Sequence, residues 1–432
     1  MNELKKNYKN VSIVLILISI LSFFLGFYLD ENSAGAGSYE GDFLHIWKNL
    51  QIFANNDILN SITHEDYFDS RSPIAYILHK LFNPFLDSEI GYRRSVFIIS
   101  LIAPILFYYC LKIKFFNKEN ILLILITSTI FLSPYFRTSA YWGLEENYGI
   151  IFLLASFLFL QIFLENKNYK GQKIYIELFL LTFSSSLCFY FDQKLLIIPI
   201  ICLLKILQFH KEFKFKILSI LLYSIFSIPY IYLIFLWGNL IPTTAAESRQ
   251  LGDAIFLDHI GYALTIMAFY LVPILLFKIN EFKFFLRTFF SNKINYYLIF
   301  LFFIYIILLL IFTDFQNTST LGKGLVQKIS ALSFENDFIA RIFTYFCFLI
   351  SFIIVLFFIT RNYIELIFFV YFLFLSLIMW PIQQEYFDPL IILMIFTFFN
   401  SKLKFNYNNS IILFLYLSIF LVVANVYYLI TI

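Results

Sequence analysis

Long apolar runs alternate with short polar breaks along the whole chain. They lie near residues 11–29, 93–113, 120–133, 147–164, 174–190, 194–208, 217–240, 260–278, 295–313, 338–360, 363–381, 386–399 and 410–430. A segment needs roughly 20 predominantly apolar residues to cross about 30 Å of hydrocarbon. The runs at 11–28, 217–240, 296–312 and 411–430 reach that length without charged interruptions. Backbone polar groups in lipid must be satisfied within the segment, so each run predicts a helix. The pattern predicts an all-α polytopic membrane protein with about 13 transmembrane helices, residues 1–432 forming one transmembrane domain.

One polar stretch, residues 30–92, is much longer than the rest. Within it Phe43, Ile46, Trp47, Leu50 and Phe53 recur at helical spacing, as do Ile74, Ile77, Leu78, Leu81 and Phe82. These patterns predict two amphipathic helices lying along a membrane surface, with Pro73 in the first turn of the second. Further polar loops are expected at 134–147, 239–259 and 314–337, where Gly322-Lys323-Gly324 suggests flexibility.

Composition sharpens the class. The chain is 61% apolar, 22% aromatic and 14% charged, whereas a soluble domain carries about a quarter charged residues. A net charge of +3 is too small to indicate nucleic acid. Cys110, Cys188, Cys202 and Cys347 all fall in apolar runs and read as buried hydrophobes, so no disulfide framework is expected. Lys5, Lys6 and Lys9 before the first run resemble a signal peptide. The run is long and Ala34-Gly35-Ala36-Gly37 is a poor cleavage site, so an uncleaved first span is expected.

Charge also predicts orientation. With a cytoplasmic N-terminus, the inner segments hold 20 of the 31 basic residues and 7 of the 28 acidic ones. Basic residues collect on the cytoplasmic side, so the long first loop is expected to face outward. Short loops favour a bacterial inner (plasma) membrane.

The candidate chemistry lies in the outer loops. Glu40-Gly41-Asp42 places two carboxylates directly after the first span, where one can take a proton from an acceptor hydroxyl. The plain alternative is a solvated loop start. Arg137 is a phosphate-binding candidate because guanidinium bonds two oxygens at once. Glu145-Glu146 follow, and adjacent carboxylates can hold a divalent cation or contact sugar hydroxyls. Interface anchoring would account for the same residues. Lys194, in Asp192-Gln193-Lys194, is another phosphate candidate or a snorkelling lysine. Trp380 to Pro389 forms a polar, Pro-bounded hairpin. The histidines show no metal-ligand spacing.

In combination these features resemble the GT-C superfamily of polytopic glycosyltransferases, closest to bacterial aminoarabinose transferases and relatives of the protein O-mannosyltransferases. Glu40-Gly41-Asp42 stands at the family's acidic motif, although Asp42 is followed by Phe43 where the common form has Glu. Asp69-Ser70-Arg71-Ser72-Pro73 resembles the start of the second surface helix. Arg137 to Glu146 corresponds to the second outer loop. Gln384-Glu385-Tyr386-Phe387-Asp388-Pro389 resembles the late hairpin, with Glu385 where a basic residue is frequent.

The resemblance implies a polyprenyl-phosphate sugar donor and a glycan, lipid or protein acceptor. Asp42 would be the general base of an inverting transfer, with Glu40 and Glu146 orienting substrate. Arg137 and Lys194 would stabilise the departing phosphate, and Glu145, Arg71, Tyr386 and Gln384 would line the substrate site. Two other classes fit a polytopic chain: a polysaccharide polymerase or ligase, and a transporter, which would carry ionisable groups inside the membrane.

Overall fold

The computed structural model describes residues 2–34, 39–69, 71–165, 172–242, 245, 255–291, 293–318, 322–359, 363–399 and 403–431. Every regular element among them is helical. Among the described residues, nine helices are long and apolar enough to cross a membrane, or ten if a bent pair counts as one span. They include Lys6–Tyr28, Glu89–Lys114, Phe213–Trp237 and Tyr407–Ile430, close to the apolar runs of the sequence. The runs at 194–208, 363–381 and 386–399 form shorter helices, Ile197–Phe209, Tyr363–Ser376 and Leu390–Leu393 with its continuation to Phe398. Length alone therefore falls short of the 13 expected.

Contacts divide the chain into two compact units. The first comprises Met1–Arg249, Phe396–Phe398 and Ser410–Ile432, and the second Gln250–Ile395 and Phe399–Asn409.

The first unit begins with α1 (Asn2–Tyr28), whose helix stops before Asp30, a residue with left-handed backbone (φ 50°). The long polar stretch then folds into α2 (Leu44–Asn55), the short α3 (Ile58–Ile62) and α4 (Ile74–Phe82). Helices α2 and α4 are the two amphipathic elements expected, and Pro73 sits one residue before α4. Their apolar faces bury Ile46, Leu50 and Phe53 on α2 and Ala75 and Tyr76 on α4, with the Phe53 and Tyr76 rings stacked 5.4 Å apart. The Lys80 ammonium donates to the Phe53 carbonyl at 2.7 Å and to that of Asn56, satisfying the open end of α2.

The second crossing combines α5 (Glu89–Ser100) and α6 (Ile102–Lys114). Ser88 caps it, accepting from the Gly91 amide at 3.2 Å. The next run bends: α7 (Asn120–Ser128) continues to Leu132, turns by 66°, and resumes as α8 (Pro134–Tyr141). Pro134 cannot donate to the preceding turn, and Ser133 instead caps α8 by accepting from Phe136 N at 3.0 Å. Helices α9 (Glu146–Glu165), α10 (Gln172–Phe191), α11 (Ile197–Phe209) and α12 (Phe213–Trp237) follow, α12 ending at the left-handed Gly238. Residues Ile225, Ile228 and Phe235 stay exposed, as a lipid-facing helix requires.

Chain direction fixes two ends in this unit. Asn147 donates to the Ser100 hydroxyl at 2.9 Å, and Cys110 Sγ donates to the Leu154 carbonyl at 3.4 Å, so α5–α6 and α9 run parallel. At the far end of α9, about 30 Å from Glu146, Phe163 packs on His210 and Phe215. Lys112, Lys114, Lys211, Lys214 and Lys216 gather at that end. The loops after α1, α8 and α10 gather at the other.

In the second unit, Asp258–Ser291 is the most enclosed span. Gly261 lies against the Phe348 ring, where any side chain would collide. Gly322, Lys323 and Gly324 are all left-handed (φ 66°, 59° and 69°), forming a defined turn where the sequence suggested flexibility. Lys323 is fastened by an ion pair to Asp258 at 2.8 Å. His259, expected in a loop, lies buried in a helix between Phe256 and Trp380.

Candidate active site

Three loop segments at one end of the first unit supply an ionic cluster. The first is the strap before α4. Asn49 on α2 holds it in place, donating to the Phe68 carbonyl at 2.7 Å and accepting from the Phe68 amide at 3.3 Å. Next to it Asp69 accepts from the Arg71 amide at 2.9 Å and from the Tyr76 hydroxyl, closing an Asx turn that aims Arg71. Ser72 then donates to the Tyr190 carbonyl at 2.7 Å, tying the strap to the end of α10.

The second segment is the start of α9. Glu146 occupies the first helical position, where open amides and the helix dipole favour a carboxylate. Its Oε1 is ion-paired with Arg71, whose guanidinium is also 3.9 Å from Asp69. Glu145 lies just before it, completely buried. The third segment is the turn after α10. Asp192 accepts from the Lys194 amide at 3.3 Å and pairs with its ammonium at 2.9 Å. That ammonium also lies 5.1 Å from the Tyr135 ring centre and within electrostatic reach of Glu146. Gly149 keeps the α9 backbone close to this turn, since a Cβ there would stand 3.1 Å from that of Asp192.

The cluster is thus Asp69, Glu145, Glu146 and Asp192 around Arg71 and Lys194. Arg71, with 22% of its side chain exposed, is its most open member. Burial pushes the Asp192 carboxyl up and Lys194 opposes it. Burial also works against the Arg71 charge, but Glu146 and Asp69 outweigh it and hold the guanidinium firmly protonated. Beside the cluster, His79 is buried between Asn83 (Nδ1 to Nδ2, 2.9 Å) and the Tyr148 hydroxyl (Nε2, 2.9 Å). Burial lowers its pKa to about 4, so the ring is neutral. With Nδ1 accepting from Asn83, Nε2 carries the hydrogen that Tyr148 accepts.

Sequence reasoning selected Glu145, Glu146, Lys194 and Arg71, and the fold brings these four together. Asp69, Tyr76 and Asp192 join them, although none was selected. The Asp-x-Arg spacing of Asp69 and Arg71 was the available signal. Asp42 is half-buried in the helical turn Tyr39–Phe43. The side chain of Glu40 lies outside the described residues, as do Gly35 to Ser38 and Ser70.

Arg137 is engaged internally. It is buried against α1, pairs with Glu31 (Nε to Oε1, 2.8 Å), and donates to the Phe131 and Ser22 carbonyls at 3.0 and 2.9 Å. Gln384 and Tyr386 belong to the second unit, in the turn Gln384–Tyr386, where Gln384 donates to the Tyr270 hydroxyl at 3.4 Å. Among the described residues, no three His, Cys, Asp or Glu side chains are arranged to hold a metal ion.

Compared with protein-family models, curated proteins and solved structures, the chain shows no match to any.

Proposed function

We propose that this chain is a multi-pass membrane glycosyltransferase of GT-C-like organisation. It would move a sugar from a polyprenyl-phosphate donor to an acceptor hydroxyl at the extracytoplasmic face. The observation that carries this reading is the buried ionic cluster, assembled from three loops at the end of the first unit opposite its lysine-rich loops. The positive-inside rule would place the lysine end in the cytoplasm and the cluster outside. The bent pair and the shorter helices Ile197–Phe209 and Tyr363–Ser376 would add crossings to the nine.

In this reading Asp42, in the turn that follows the first helix, removes the acceptor proton. The acceptor oxygen then attacks the anomeric carbon with inversion, and the bond to the lipid phosphate breaks. Glu146 orients hydroxyls, while Arg71 and Lys194 offset the charge that develops on the departing phosphate. Arg137 fixes α1 against the bend instead. The test uses protein in lipid nanodiscs supplied with radiolabelled polyprenyl-phosphate sugars. Asp42→Asn should lower turnover by at least a hundredfold while leaving the melting temperature unchanged, in the range of removing a general base. Normal transfer by folded Asp42→Asn would move the base elsewhere, with Glu146 the next residue to test.

A further inference from the structure

Glu145 is fully buried, and neither of its carboxyl oxygens has a hydrogen-bond partner among the described residues. Its acidic neighbours differ. Asp69 receives the Tyr76 hydroxyl and the Arg71 amide, and Glu146 receives the Arg71 guanidinium. Arg71 is therefore already shared between two other carboxylates, Asp69 and Glu146. The other groups around Glu145 are phenols: Tyr67 from the strap, Tyr76 from α4, Tyr92 from α5 and Tyr148 from α9. Tyr76 gives its hydrogen to Asp69 and Tyr92 gives its own to the Gly143 carbonyl at 2.6 Å, while Tyr148 accepts from neutral His79.

A buried carboxylate without a donor carries a large desolvation penalty, and taking up a proton removes it. Burial is the main force raising the Glu145 carboxyl and Asp69 and Glu146 add to it, while Arg71 and the nearby Tyr76 hydroxyl oppose it.

We propose that Glu145 is a proton-binding site, held as a neutral carboxylic acid at neutral pH beside the Arg71 ion pairs. The neutral acid leaves Arg71 balanced by Asp69 and Glu146. It also gives the cluster an exchangeable proton, released when the adjacent negative charge is removed or a cation enters. This assignment concerns the ligand-free protein and does not depend on the transfer reading.

The experiment is infrared difference spectroscopy on the full chain in nanodiscs, reading the carbonyl band of a protonated carboxyl group at neutral pH. Wild type should show a band that is missing in Glu145→Gln and that fades as pH is raised. A band of equal strength in folded Glu145→Gln overturns the proposal, as does one that follows Glu146→Gln instead. Asp69→Asn leaves Glu145 in place, so it decides the matter even if Glu145→Gln does not fold. Without the neighbouring acid the band should fade at a lower pH than in wild type. Fading at the same pH or higher overturns the proposal.

Discussion

Gly26 lies on α1 where a side chain would overlap the Glu31 carboxylate and come within 2.6 Å of both Arg137 Nη2 and the Tyr141 hydroxyl. The smallest residue is thus what lets a buried ion pair reach the helix. Breaking a buried pair costs roughly 3–5 kcal/mol, so Gly26→Ala should lower the melting temperature of the purified protein by several degrees. An unchanged melting curve would mean that the pair tolerates the methyl group. His79 gives a pH-dependent test. Its folded pKa, about 4, lies below the ordinary value of 6.5, so the unfolded chain binds a proton that the native state refuses. Stability is then complete above about pH 6.5 and falls as pH drops toward 4, by at most roughly 3 kcal/mol. Melting temperatures from pH 7 to about 5 should show this loss in wild type and a smaller one in His79→Gln. Glu145 has the opposite sign. Its raised carboxyl gives stability that is complete below the unfolded value of about 4.3 and is lost as pH rises through the folded-state titration. Because glutamine does not titrate, Glu145→Gln should gain on wild type in melting temperature as the pH is raised above about 5.

Helix α2 ends on the Lys80 ammonium, which satisfies carbonyls that water or a C-cap residue would otherwise take. Lys80→Met keeps the apolar stem and removes the donor. It should cost about 1 kcal/mol and speed hydrogen exchange at residues 53–56, while α1 exchanges as before. At this scale the sequence was most informative where one periodicity dominated. The apolar faces of α2 and α4 and the long runs at 217–240 and 296–312 could be read directly. The run at 120–133 ends where the chain bends, but the helix Pro134–Tyr141 was expected as a polar loop, because Arg137, Thr138 and Ser139 break the apolar pattern. The site was partly legible. Glu145-Glu146 announced themselves by adjacency and Arg71 by its place before Pro73, but no local pattern says that Asp69 turns back onto Arg71 or that Tyr76 caps it. The pairing of Arg137 was hidden for the same reason. Its partner Glu31 lies 106 residues away, and a guanidinium free for phosphate has the same one-letter code as one already bound.

The first unit has two chemically different ends: lysines gather beyond α6 and α11, and the mixed ionic cluster lies a helix length away. Positive-inside orientation predicts that a cysteine placed at Glu65 is labelled by an impermeant reagent from outside intact cells, and one at Lys214 only after the membrane is breached. Labelling of both from the same side would contradict the orientation and, with it, the location of the cluster. Arg93 shows how this end is braced. It bonds the Tyr141 carbonyl at 2.8 Å, pairs with Asp30 at 2.5 Å and stacks 3.9 Å from the Trp142 ring centre, so three crossings meet at one side chain. Such bracing suits a site that must hold its groups in place. Whether the site transfers sugar is decided most directly by incubating the wild-type protein, in nanodiscs, with radiolabelled polyprenyl-phosphate sugars and following the label off the lipid. The account predicts label released from, or moved off, at least one such carrier, and loss of that turnover in Asp42→Asn. A folded wild-type protein that neither binds nor turns over any of them would contradict it.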